Sequence, residues 1–156
     1  MTILSTLLTR FLGALELRQA DVLFDAILPP DRSTGLPAPS AAGVSDFLQR
    51  VLALDEAHVP DAARWRALYR SGLAALDAAV QASDGVPLAE LAPERAARLL
   101  TDLAAGRVAP VPAGFDQKGF FALLRDHCIQ GCFADPRWGG NRGAMVWKWF
   151  CPGEVR

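Results

Sequence analysis

Three cysteines, two histidines and scattered carboxylates are the side chains of this 156-residue sequence best suited to chemistry. Cys128 and Cys132 stand four apart, on one face of a helical segment. Side chains at that spacing keep their Cβ atoms roughly 5–6 Å apart, whereas a disulfide needs about 3.8 Å. The two thiols can pair only if Gly131 breaks the helix; otherwise they are small buried hydrophobes. His127 and Cys128 have the residue types of a base and a nucleophile. Adjacent helical residues, however, point about 100° apart and do not easily reach each other. A zinc site from His127, Cys128, Cys132 and Asp135 has the wrong spacing for a structural centre. An odd cysteine count leaves one thiol unpaired, or bonded to another chain, in an oxidising compartment. Cys151, just before Pro152-Gly153, is the candidate. His58, near Pro60, reads as exposed. Asp25 and Asp31 flank the Ile-Leu-Pro-Pro break, and paired carboxylates can do acid–base work. Here one reads as a turn former and the other as solvated or Arg-paired. No Gly-x-Gly-x-x-Gly follows a strand and no Cys-x-x-Cys-His occurs. Flavin, nicotinamide and haem attachment by this chain are therefore not expected, nor are catalytic, cofactor or metal residues.

The elements around these residues read as helices. Leu4, Leu7, Leu8, Phe11, Leu12 and Leu15 repeat at helical spacing. The pattern continues through Val22, Leu23, Ala26 and Ile27 until Pro29-Pro30, which cannot extend a helix. A polar, Pro- and Gly-containing loop spans Asp31 to Ser40. A helix from about Ser45 to Leu54 carries the stripe Phe47, Leu48, Val51 and Leu52, with Ser45 or Asp46 as cap. A longer one runs from Pro60-Asp61 to about Ser83, burying Trp65, Leu68, Tyr69, Gly72, Leu73, Leu76 and Val80. Gly72 costs about 1 kcal/mol in a helix interior, which suits close approach of a neighbouring helix. Pro93 fits a first helical position, Leu99, Leu100 and Leu103 form the stripe, and Gly106 stops it. Asp116 caps a last long helix carrying Phe120, Phe121, Leu123, Leu124, Cys128 and Ile129, with Gly131 as its expected end. No run alternates at period 2. The expectation is a single all-α domain over residues 1–156: an irregular or orthogonal bundle of five to six helices with an aromatic, loop-rich C-terminal extension.

The totals exclude some classes of function. The formal charge of −1 and pI near 6.1 give no basic field for nucleic acid. Fourteen of the sixteen basic residues are Arg, which fits either interface contacts or a codon bias toward Ala and Arg. No stretch approaches the roughly 20 apolar residues of a membrane span. Thr2 to Leu17 is interrupted by Arg10 and Glu16 and is not read as a signal peptide. The apolar share of 51% leaves room for a surface patch that meets a partner.

Eight of the thirteen aromatic residues fall between Phe115 and Arg156. Within that segment, Asp135-Pro136-Arg137-Trp138-Gly139-Gly140-Asn141 is turn-rich, with cheap positive-φ positions. Such a loop either presents Arg137 and Trp138 outward as contact residues or folds Trp138 and Trp147 back over the core. The stretch Phe120 to Asn141 resembles the signature of the gluconate 2-dehydrogenase subunit 3 family. Asp135, Pro136, Gly139, Gly140, Asn141 and Trp147 match it, and Trp138 replaces the usual Tyr. The earlier segments Phe24 to Asp31 and Tyr69 to Leu73 agree with it too.

That resemblance implies the small, or gamma, accessory subunit of an FAD-dependent dehydrogenase complex oxidising a sugar, sugar acid or polyol. It implies a glucose–methanol–choline type flavoprotein as catalytic partner, often with a multihaem cytochrome c. FAD, and with it an iron–sulfur cluster and haem c, would sit in those partners. The subunit's implied role is chaperone and export escort, in the periplasm and at the membrane through the complex. Relatives often carry a twin-Arg signal, which is not visible here. Arg137, Trp138, Asn141, Trp147, Trp149 and Phe150 are then the candidate partner-binding residues. Asp135, Pro136, Gly139 and Gly140 shape the loop, and Cys151 is the thiol for a disulfide to the flavoprotein. Two other readings stay open: a free-standing helical interaction module, and a small thiol or redox enzyme using Cys128 and Cys132.

Overall fold

The computed structural model describes residues 11–153. Six α-helices follow in order: α1 (Ala14–Ile27), α2 (Val44–Leu52), α3 (Ala62–Asp84), α4 (Pro93–Ala105), α5 (Gln117–Phe133) and α6 (Met145–Phe150). Among the described residues there is no strand, only an antiparallel bridge between Asp31 and Leu36. Helix α5 is the hub and touches each of the other five helices.

Local chemistry sets most of the boundaries. Gly85 and Gly106 adopt left-handed φ of 71° and 72° and end α3 and α4. Pro93 opens α4, and the Asp116 carboxylate accepts the Gly119 N–H at 2.9 Å to cap α5. Helix α2 begins earlier than its polar residues suggest, with Gly43 rather than Ser45 or Asp46 as N-cap. Helix α1 starts later than its apolar pattern, because Gly13 is its N-cap and Glu16 accepts the Gly13 N–H. The Leu4, Leu7 and Leu8 part of that pattern lies outside the described residues. The Gln49 side chain of α2 accepts the N–H groups of both Phe11 and Leu12 and donates to the Leu12 carbonyl. Leu12 is thereby drawn wholly inside.

One continuous apolar cluster runs through the helices, from Leu12, Leu23 and Phe24 to Tyr69, Leu76, Leu103, Phe120 and Leu124. Gly72 of α3 does admit a neighbour: a Cβ there would lie 2.5 Å from the Phe120 ring of α5. Three positions depart from the sequence pattern. Leu15 and Ile129 belong to expected stripes yet are 50% and 42% exposed, because the stripes are wider than the faces their helices bury. Gly131 does not end α5, which continues to Phe133. Its missing side chain lets Val44 and Phe47 of α2 pack directly on the helix backbone.

Candidate partner-binding site

The C-terminal segment is stitched onto the bundle by glycines and one asparagine. Asp135 Oδ1 accepts the Arg137 N–H at 3.0 Å, and Oδ2 meets the Arg137 guanidinium at 2.6 Å. This opens a 3-10 turn, Pro136–Trp138. Gly139 follows at φ 100°, with its Cα against the Asp46–Phe47 backbone of α2. Gly140 lies on the Gly131 backbone of α5 so closely that a Cβ would overlap the Gly131 carbonyl oxygen. Asn141, left-handed at φ 46°, is 0% exposed. Its amide donates to the Ala134 carbonyl at 3.1 Å and accepts the Val146 N–H at 2.9 Å. Across the seam, Arg142 N–H donates to the Ala42 carbonyl and its guanidinium pairs with Asp46 at 2.7 Å.

This framework sorts the aromatic residues. Trp138 is 56% exposed, Phe150 68% and Phe133 42%. Phe133 and Phe150 meet edge to face at 6.4 Å. Trp147 and Trp149 are half-buried and donate their indole N–H groups to the carbonyls of Phe133 and Thr34. Of the expected contact residues, Arg137, Trp138 and Phe150 therefore face water. Asn141 does not: it is 0% exposed and its amide bonds within the chain, so it shapes the loop. The sequence reading missed Phe133, and also Phe47, Val51 and Leu54. All four were hidden by helical periodicity, which does not say which edge of an apolar stripe stays uncovered.

The groups with catalytic potential are placed otherwise. Cys128 and Cys132 are 0% and 1% exposed, and no disulfide joins them. A hydrogen bond shared with Cys132, together with burial, holds the Cys128 thiol far above its usual range, and the same bond draws the Cys132 thiol down. Cys151 is a half-buried free thiol. Asp31 is the turn former, accepting from Ser33 and Thr34. Asp25 is half-buried and has no Arg partner among the described residues; it accepts the Ser40 N–H and hydroxyl at 2.8 and 2.6 Å. His58 is exposed beside Asp55. Among the described residues no three His, Cys, Asp or Glu side chains converge as a metal site requires. Nor is any helix among them long and apolar enough to cross a membrane.

His127 points away from the cysteines into an aromatic nest. Its Nδ1 lies 3.1 Å from the Tyr69 hydroxyl, and the Trp65 ring stands edge-on at 4.9 Å. Burial lowers the imidazole from 6.5 to about 4, against the opposing charge of Asp126. The neutral ring and the Tyr69 hydroxyl share one hydrogen bond, whose direction follows the ring's tautomer. Between those two pH values the unfolded chain binds a proton that the folded chain refuses. This contribution to stability is thus complete above about pH 6.5. It falls by up to about 3 kcal/mol as pH drops to about 4, at about 1.36 kcal/mol per unit. Urea titrations at several pH values check this: His127→Gln should be less acid-sensitive than wild type by about that amount. Parallel pH curves for the two proteins would refute it.

By class, then, this is an all-α bundle in which the end of α5 and the C-terminal segment hold three aromatic rings in water, with two cysteines buried and one half-buried. The comparisons agree in kind. The model of the family described as gluconate 2-dehydrogenase subunit 3 matches residues 14–153, and the chain belongs to that family. No curated protein and no solved structure gave a match. The family description makes this chain a subunit associated with a dehydrogenase complex.

Proposed function

We propose that this chain is the accessory subunit that binds and stabilises the FAD-dependent catalytic flavoprotein of a sugar, sugar-acid or polyol dehydrogenase. The observation that carries the reading is the exposure of Phe133, at the end of α5, and of Trp138 and Phe150 on the segment stitched beside it. Large apolar rings held in water gain their burial on docking. Binding only the native flavoprotein stabilises it by about 2.7 kcal/mol at a hundredfold excess over Kd. A chaperone effect therefore needs no active site in this chain. In this reading FAD, an iron–sulfur cluster and haem c belong to the partners, a multihaem cytochrome c among them. The complex works in the periplasm at the membrane. Cys151, half-buried near the C-terminal end of α6, is the thiol available for a bond to the flavoprotein. A subunit-linked band on non-reducing electrophoresis, lost on reduction, is the expected sign.

Co-expression tests the main claim. The soluble, flavin-loaded yield of the catalytic subunit should rise several-fold when this chain is present. Trp138→Ser combined with Phe150→Ser should weaken binding by about 30-fold or more, while the chain's own unfolding free energy moves by less than about 1 kcal/mol. Equal yield with and without the chain would refute the reading.

A further inference from the structure

We propose that the groove between α2 and Trp138 is the slot for one segment of the catalytic flavoprotein, presenting an apolar side chain beside a carboxylate. This rests on the accessory-subunit reading above and goes beyond it by naming the slot and its occupant. The groove holds about 480 Å³ and is lined by Phe47, Arg50, Val51, Ala53, Leu54 and Trp138. Five of its six walls are apolar, and Leu54 and Trp138 stand 40% and 56% exposed. That volume suits a side chain or a short segment rather than a flat contact.

Its rim is rigid before anything binds. The Arg50 guanidinium donates to the Arg137 carbonyl at 2.7 Å, and Gly139 N–H closes the 3-10 turn on Pro136 at 3.1 Å. Trp138 is held between those two bonds, so little ordering entropy is lost when a partner covers it.

Charge selects the occupant. Arg137 and Arg142 are each paired with a carboxylate, Asp135 and Asp46, at 2.6 and 2.7 Å. Arg50 has no carboxylate within 4.0 Å among the described residues, and only one of its five donors is engaged with the chain. A free guanidinium at the mouth of an apolar slot matches an Asp or Glu, which it can grip bidentately. A second copy of this chain fits poorly: the ring it would insert is Trp138, and the carboxylate beside that ring, Asp135, is already held by Arg137 at 2.6 Å, which leaves none free for Arg50.

The test uses the full chain and the FAD-loaded catalytic subunit, with affinity read by interferometry. Val51→Asp and Arg50→Glu should each weaken binding about 30-fold or more. Arg50→Lys keeps the charge but not the bidentate fork, so it should weaken binding less than Arg50→Glu does. With a carbodiimide, the amine it introduces should form an amide to a partner Asp or Glu adjacent to an apolar residue. Tryptophan fluorescence reports whether Arg50→Glu has displaced the loop, in which case Val51→Asp and the crosslink decide. Wild-type affinity in both charge variants overturns the slot while leaving the accessory role standing. So does an Arg50→Lys complex that forms without the carbodiimide crosslink. Failure of the wild-type chain to bind overturns both.

Discussion

Gly140→Ala is expected to lower the unfolding free energy by more than about 4 kcal/mol, beyond the usual range for a single substitution. The added Cβ would overlap the Gly131 carbonyl oxygen and lie 2.8 Å from the carbonyl carbon behind it. Both are main-chain atoms in the body of α5, so no rotamer change relieves the clash. Only retreat of the loop does, and retreat takes Gly139 off α2 and stretches both hydrogen bonds of Asn141. Gly143→Ala is the control. It sits at φ 61° with nothing within 4 Å of the added carbon, so it carries only the left-handed penalty of about 1–2 kcal/mol. Denaturant titration of the two variants separates collision from conformation. Equal losses would mean that the approach to Gly131 does not matter.

Asn141→Ala should cost about 4 kcal/mol. It strips the partner from the Val146 N–H and the Ala134 carbonyl at once, and each buried orphan costs about 1–3 kcal/mol. Asparagine also tolerates its φ of 46° better than alanine. Asn141→Gly removes both hydrogen bonds but not the conformational fit, so most of the loss should persist there. Near-wild-type stability of the glycine variant would assign the effect to backbone strain alone. Hydrogen exchange at Val146 should rise sharply in both variants, since that amide loses its acceptor. On the proposed function, both substitutions should also weaken flavoprotein binding, through release of Trp138.

Much of the helical layout was legible in the residues. Pro29-Pro30, Gly106, Pro93 and Asp116 act within one turn of chain, so their effect needs no knowledge of the rest. Gly72 was readable as a close approach because a central helical glycine has few other uses. Gly131 misled, since a helix-ending glycine and a helix-packing glycine look alike until the neighbouring helix is placed. The same ambiguity hid the groove. Phe47, Leu48, Val51 and Leu52 form one stripe in sequence, yet Leu48 and Leu52 are fully buried and Phe47 and Val51 only half.

The loop motif divides along the same line. Asp135-Pro136 and Gly139-Gly140-Asn141 already dictated a tight, positive-φ turn, because carboxylate capping and left-handed φ are local properties. Which ring that turn would expose was decided elsewhere: by Gly131 on α5, by Arg50 on α2 and by the depth at which Asn141 is buried. Helix limits and turn types follow mostly from backbone sterics and short-range hydrogen bonds, so the sequence alone determined most of them. Exposure depends on contacts between residues as far apart as Arg50 and Arg137, 87 positions along the chain. Only the packed structure could settle that.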